Sequence, residues 1–263
     1  MPFDKRKAFG QHFLQDSSII SKIVSEAVAA SIRHPECAIL EIGPGQGALT
    51  RPLLQALPIE KRFFLAERDR ELISEWRGES RVEKVIEGDF VRVDDGILDA
   101  VGPVLVVSNL PYSAGTAIVV RLCERVKQIP EMVLMFQSEV AKRLRADPST
   151  PDRGSLSLYI QNEWEVETLI EVPPAAFRPP PKVQSEVVTL RRRQTPLLDI
   201  ALPERRALWN QLLKTSFQHR RKMLKGNLRE PPFKNALANS GVDVTLRAES
   251  LTWDDWKKIW NQL

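Results

Sequence analysis

Five short apolar runs, most of them followed by a stretch of helical spacing, constrain this chain's fold more than any other feature. They are "CAILEI" (37–42), "RFFLAE" (62–67), "VEKVIEGD" (82–89), "PVLVVSN" (103–109) and "MVLMFQ" (132–137). Helices are expected over 49–57, 69–77, 117–126 and 138–146. Strands apolar on both faces and separated by helices predict a largely parallel sheet covered on both sides, a doubly wound α/β fold. A helix is also expected ahead of the first strand: Ile19, Ile20, Ile23, Val24, Ala27 and Val28 recur at helical spacing behind Asp16 or Ser17 as cap. Strands over 163–172 and 185–191 flank the proline-rich "EVPPAAFRPPPKV" and are expected to close the sheet as an antiparallel pair. Beyond "RRRQTPLLDIALPE" the pattern is helical only, over 208–217, 222–228 and the final "SLTWDDWKKIWNQL". The expected organisation is a large domain over 1–194 and a small all-α domain over 195–263.

Charge divides along the same line. Residues 191–263 hold fifteen Lys and Arg against seven Asp and Glu, a net of +8, whereas the remainder sums to −4. A mildly acidic body with a basic helical module suits a polyanionic partner, nucleic acid first among them, and a solvated basic face is the plain alternative. No run of eighteen apolar residues occurs and the N-terminal stretch lacks a signal-like apolar core, so a cytoplasmic protein with no membrane association is expected. Cys37 and Cys123 sit in apolar surroundings and read as buried free thiols. The histidines have no ligand partners at metal spacing, so no metal is expected. Trp253, Trp256 and Trp260 recur at helical spacing and read as core of the small domain.

"ILEIGPGQGALT" places Gly43, Gly45 and Gly47 between a buried strand and a helix, the ligand position of a doubly wound sheet. Glycines there permit positive φ and close approach of a ligand to the backbone. The spacing is G-x-G-x-G rather than the dinucleotide G-x-G-x-x-G, and the following helix carries no lysine for phosphates. Glu67 ends the second strand, where a carboxylate can accept both hydroxyls of a ribose, and Asp89 in "EGDF" can meet an adenine amino group. Glu41 would repel a pyrophosphate but suits a cation. A nucleoside with a positively charged tail fits this set, and S-adenosylmethionine is such a molecule.

A cofactor held across the first three strands presents its methyl near the end of the fourth, and there lie Asn109, Leu110, Pro111 and Tyr112. An exocyclic adenine amine is a poor nucleophile because its lone pair is delocalised into the ring. The Asn109 amide oxygen and the backbone carbonyl of Leu110 or Pro111 can each accept one N–H, drawing the nitrogen toward tetrahedral geometry. Proline fixes its own φ and so holds the carbonyl. Tyr112 offers a face on which an extruded base can stack, worth about 1–3 kcal/mol. No strong general base is required, since the proton becomes acidic once the methyl has transferred. Phe177, in "AAFRPPPKV", is a candidate for the other wall of the base pocket, with a plain core residue as the equal alternative from the residues alone.

"GQHFL", "EIGPGQGALT", "GDF", "NLPY", "FRPPPKVQS" and "FQHRRKML" occur in an order that resembles the ribosomal RNA adenine N6,N6-dimethyltransferases of the KsgA type, and the likeness covers nearly the whole chain. The related Erm-type large-subunit enzymes share the N-terminal motifs, whereas "SFQHRRKMLKGNL" (216–228) resembles the small-subunit enzymes. The resemblance implies a Rossmann-like class I S-adenosylmethionine-dependent methyltransferase sheet with a helical C-terminal domain. It also implies dimethylation of two adjacent adenosines in the 3′-terminal hairpin loop of small-subunit (16S) rRNA during ribosome biogenesis. Cofactor contacts are implied at Gln11, His12, Leu14, Gly43, Gly45, Glu67, Asp89 and Asn109, with His12 and Leu14 at the methionine end. RNA contacts are expected at Arg220, Arg221, Lys222 and Lys225, clustered on a short helix. The partner is small-subunit rRNA or a pre-30S particle, with no obligate protein partner evident. Two departures stand out: His12 occupies a position where many relatives have Asn, and Ser113-Ala114-Gly115 replaces the commoner Asn-Ile-Ser. An Erm-like 23S rRNA methyltransferase and a non-catalytic RNA-binding assembly factor are the alternatives.

Overall fold

The computed structural model describes residues 12–263, which divide into two compact units. The first holds the chain up to Ala141 together with Glu165–Arg192, and the second holds Lys142–Trp164 and Arg193–Leu263. The expected boundary at 194 therefore differs in one respect: residues 142–164 cluster with the C-terminal helices. The reason is apolar, because Leu158 and Tyr159 pack into the second unit's core with Trp209 and Leu212.

In chain order the elements are β1 (Phe13–Leu14), α1 (Ser17–Arg33), β2 (Ala38–Ile42), α2 (Thr50–Ala56), β3 (Phe63–Glu67), α3 (Arg70–Arg77), β4 (Lys84–Glu87), α4 (Asp95–Val101), β5 (Val104–Asn109) and α5 (Gly115–Cys123). There follow β6 (Glu131–Gln137), α6 (Ser138–Arg145), α7 (Ser155–Gln161), β7 (Trp164–Val172), β8 (Phe177–Arg178), β9 (Ser185–Arg192), α8 (Pro203–Ser216), α9 (Leu224–Asn227), α10 (Phe233–Asn239) and α11 (Trp253–Trp260). Seven strands form one sheet in the order β4-β3-β2-β5-β6-β9-β7, and β1 pairs with β8 in a separate ribbon. β2 through β6 run parallel, and β9 lies antiparallel to β6. The chain winds outward from β2 to β4, then returns to the other side of β2 to form β5. That reversal is a topological switch point, and the carboxyl ends of β2 and β5 border its crevice.

Burial explains the sheet. All five residues of β2 and of β3 are buried, the acids Glu41 and Glu67 included, as inner strands of a sheet covered on both faces must be. α1 starts where the Asp16 carboxylate accepts from the N–H groups of Ser18 (2.9 Å) and Ile19 (3.2 Å). Its face of Ile19, Ile23, Val24, Ala27 and Ala30 packs in one cluster with Ile39, Leu65 and Leu105 of the sheet. Truncating a fully buried member such as Ile39 to alanine would cost about 2–5 kcal/mol. At the start of β6, Glu131 is 1% exposed and accepts from Arg33 (2.7 Å) and Arg191 (2.9 Å). Burial alone would raise its carboxyl, but these hydrogen bonds outweigh it and hold the group below its ordinary value. Burial pushes the Cys37 thiol up to about 12, so it is inert at neutral pH.

The second unit is built on tryptophan. Trp209 and Trp256 are fully buried and Trp260 nearly so. The Trp209 ring meets the other two edge-on at 5.7 Å between centroids, and Trp253 lies partly buried beside it at 6.3 Å. Such edge-to-face pairs add about 0.5–1.5 kcal/mol beyond the area they bury. No helix among the described residues is long and apolar enough to cross a membrane.

Candidate active site

The glycine loop is made by backbone conformation. After β2 the chain passes through Gly43, Gly45 and Gly47 with φ of +68°, +54° and +85°, values that favour glycine. The indole N–H of Trp76, on α3, donates to Gly45 O at 3.0 Å from beneath the loop. A Cβ at Gly47 would lie 2.6 Å from the Trp76 ring, so this glycine is also demanded by close packing. Trp76 carries no motif and reads in sequence only as an apolar helix residue, which is why its support of the loop went unread.

One cavity of about 300 Å³ brings together His12, Leu14, Gly43, Gly45, Glu67, Asp89, Asn109, Leu110, Pro111 and Tyr112. Gln11 lies outside the described residues. Glu67, at the end of β3, is 6% exposed; one carboxylate oxygen accepts from Gly45 N–H (3.3 Å) and the other from the N–H groups of Arg68 (2.8 Å) and Asp69 (3.0 Å). The carboxylate is thereby fixed at the cavity edge, and Oε2, which accepts one N–H, keeps a second lone pair for a ligand hydroxyl. Asp89 falls two residues beyond the end of β4, in the turn rather than in the strand as expected. One of its oxygens accepts from Val91 N–H at 3.1 Å, and its side chain stays partly exposed.

Glu41 is the most unusual group in the cavity. It is 2% exposed, and its Oε2 is buried without a hydrogen-bond partner. Burial, with the nearby charge of Glu67 adding to it, pushes the carboxyl up to about 8. An orphaned acidic oxygen in an acid-lined cavity calls for a cation or a strong donor. These residues fit S-adenosylmethionine: a glycine cradle that side chains would fill, a fixed carboxylate for the ribose, and a buried acid with one unpartnered oxygen for its positive charge.

At the end of β5 the strand gives way to the Asn-Leu-Pro-Tyr turn. Leu110 N–H donates to Met135 O of β6 (3.2 Å), and Ala114 N–H donates to Pro111 O (3.0 Å). Pro111 O is thus engaged in the turn, whereas Leu110 O accepts from no described backbone N–H. Of the two carbonyls considered from sequence, Leu110 O is the one left available. The Asn109 amide has no hydrogen-bond partner among the described residues and lines the cavity. Tyr112 is half-buried, and its hydroxyl is hydrogen-bonded to Ser185 Oγ, the first residue of β9. The His12 ring lies against Tyr112 with centroids 5.7 Å apart and planes inclined by 31°. His12 Nδ1 donates to Pro179 O at 2.7 Å, leaving Nε2 as an acceptor.

Phe177 departs from expectation. Its ring is 2% exposed, packs in the core cluster with Leu14 and Val172, and does not line the cavity. The β1–β8 ribbon sets this position by pairing Phe177 with Leu14, so burial claims the ring. The aromatic neighbour of Tyr112 is His12 instead.

The basic candidates are also distributed differently than expected. Only Lys225 lies on the short helix α9; Arg220, Arg221 and Lys222 precede it in a turn. Arg220 is engaged within its own unit, donating to Pro151 O (2.7 Å) and Arg153 O (2.9 Å) and pairing with Glu249 at 3.5 Å. Arg221, Lys222 and Lys225 are exposed.

A mixed, largely parallel sheet with a glycine loop at its switch point, an acid-lined cavity and an amide-proline-tyrosine turn is the fold and site of an α/β methyltransferase. Comparison with known proteins narrows the class. The profile of the family described as ribosomal RNA adenine dimethylase matches residues 2–263, and the chain belongs to that family. The chain is 38% identical over 260 residues to ribosomal RNA small subunit methyltransferase A of Laribacter hongkongensis, covering 98% of this chain and 95% of that protein. Among solved structures it resembles a dimethyladenosine transferase from Plasmodium falciparum, with TM-score 0.72, 23% identity, and coverage of 94% and 96% of the two chains. It also resembles the 23S rRNA methyltransferase ErmE, with TM-score 0.67, 26% identity, and coverage of 95% and 99%.

Proposed function

We propose that this chain is an enzyme that transfers methyl groups from S-adenosylmethionine to N6 of two adjacent adenosines in the 3′-terminal hairpin loop of small-subunit rRNA. Membership of the adenine dimethylase family and near-full-length likeness to small-subunit methyltransferases support the reaction class. The observation that carries the chemistry is a pair of acceptors without a hydrogen-bond partner among the described residues, Asn109 Oδ1 and Leu110 O, at the carboxyl end of β5 beside the cavity.

S-adenosylmethionine, when bound, supplies an electrophilic methyl carbon on a sulfonium. Glu67 holds the ribose hydroxyls, Asp89 the adenine amino group, and Glu41 faces the positive charge. Tyr112 stacks the extruded target base. Asn109 Oδ1 and Leu110 O each accept one N–H of the target amine, so its lone pair points into the cavity. With the amine so held, its lone pair would take the methyl that the cofactor supplies, the sulfur keeping the C–S electron pair, and one N–H proton would leave to water. Repetition on the monomethylated amine uses the remaining N–H, held by one of the two acceptors. Arg221, Lys222 and Lys225 contact phosphates and position the RNA without reading its sequence. A pre-30S particle in the cytoplasm is the proposed setting.

The test is incorporation of tritiated methyl into under-methylated small subunits and, in parallel, into large-subunit rRNA, followed by primer extension on both rRNAs, because dimethyladenosine halts reverse transcriptase. Stops near the small-subunit 3′ end are the expected result. Stops in large-subunit rRNA alone would favour an ErmE-like activity, and no incorporation would favour an assembly factor without catalysis.

A further inference from the structure

Among the described residues, Tyr112 is the only member of the base-handling turn whose side chain is hydrogen-bonded to a distant part of the first unit. Its partner, Ser185, is 1% exposed and opens β9, where it pairs in register with Gln137 at the end of β6. Ser138 N–H donates to Gln184 O at 2.9 Å immediately beside this pair. The Ser185 backbone is therefore held by the sheet itself, and the hydroxyl that its Oγ meets belongs to a turn outside any strand.

We propose that Ser185 is a positioning residue for the methyl transfer: its hydroxyl tethers the Tyr112 phenol, so that the ring stands ready to stack the target base before that base arrives. The inference rests on the adenine-N6 reading above and extends it to a residue that touches neither cofactor nor target amine. An untethered tyrosine on a turn would sample several χ1 rotamers, and a base stacking on it would have to select one. With the phenol anchored on β9, that ordering is done by the fold rather than by substrate binding. His12, fixed in turn by Pro179 O, lies against the same ring. The tyrosine is thus bounded by two side chains, each anchored elsewhere in the first unit.

Two readouts test this independently. The chain holds two tyrosines, so Tyr159→Phe leaves Tyr112 as the sole phenol, and its Raman Fermi doublet reports hydrogen bonding without any activity assay. Ser185→Ala in that background is expected to change the doublet, and Ser185→Thr to restore it. An unchanged doublet overturns the tether. In single-turnover assays on under-methylated small subunits, Ser185→Ala is expected to slow transfer about three- to tenfold, the equivalent of one neutral hydrogen bond. Cofactor affinity should stay within twofold. Tyr112→Phe should give the same loss, and the double variant no further loss. A changed doublet with an unchanged rate, or additive losses, overturns the positioning role. Absence of methyl transfer by the wild type is a separate result: it overturns the functional reading and, with it, the role in transfer, while the doublet still decides the tether.

Discussion

The two halves of the site are built by different means. The cofactor half, between β2 and α2, is a backbone structure: three glycines at positive φ, an indole closing the space beneath them, and a carboxylate held by main-chain N–H groups. The base half, after β5, is a side-chain structure. Its tyrosine is positioned by Ser185, 73 residues away, and its neighbour His12 by the carbonyl of Pro179, 167 residues away. Backbone conformations leave a local signature in sequence, while long-range side-chain contacts leave almost none. The cofactor half should therefore fail through misfit when altered, and the base half through loss of orientation.

Removing the ring of Phe177 tests how the base half is supported and has the largest expected effect. Phe177→Ala should lower unfolding stability by about 3–5 kcal/mol, read from denaturant midpoints, while transfer per folded molecule changes little. Unaltered stability with lost transfer would return the ring to the base slot. Asn109→Ala should reduce single-turnover transfer by about 10²–10³, as loss of one preorganised contact does, with cofactor still bound. Turnover near that of the wild type would remove Asn109 from the chemistry. On the cofactor side, Gly47→Ala combines positive φ with overlap on Trp76 and should weaken cofactor binding by about 1–3 kcal/mol by calorimetry. Unchanged affinity would show that the loop tolerates a side chain.

Glu41 sharpens the comparison through pH. Its carboxyl is raised from the ordinary 4.5 to about 8, so the folded, ligand-free protein holds a proton there that the unfolded chain releases. Stability must then decline as pH rises from about 4.5 to about 8, level off above that, and lack this decline in Glu41→Gln. Parallel midpoint-versus-pH curves for the two proteins would contradict the assignment. The smallest effect belongs to the second unit: Lys225→Ala should weaken RNA binding modestly and reduce the salt slope by about one unit. An unchanged slope would take Lys225 off the phosphate path.

Much of the sheet was legible because its strands are continuous apolar runs, and Glu67 and Asn109 do end β3 and β5. Helix α7 was not, since "SLSLYIQ" alternates polar and apolar residues as a strand would, yet only its helical form buries Ser157, Leu158 and Ile160 together. Helix α4 is seven residues long and contains Gly96, too short for a period to emerge. Within the site, the glycines and acids could be read because each lies at or close to the end of a recognisable strand. Trp76 and Ser185 could not, because their roles exist only once distant segments pack. Phe177 was misplaced for the same reason: a motif gives its neighbours in sequence, not the side of the wall its ring faces.

The most direct test of the whole arrangement is a crystal structure of the protein with S-adenosylmethionine bound. The two halves should meet at one point, with the ribose on Glu67, the adenine beside Asp89 and the sulfonium methyl directed at the Asn109 amide. A cofactor bound in the reverse sense, or with its methyl turned away from residue 109, would contradict it.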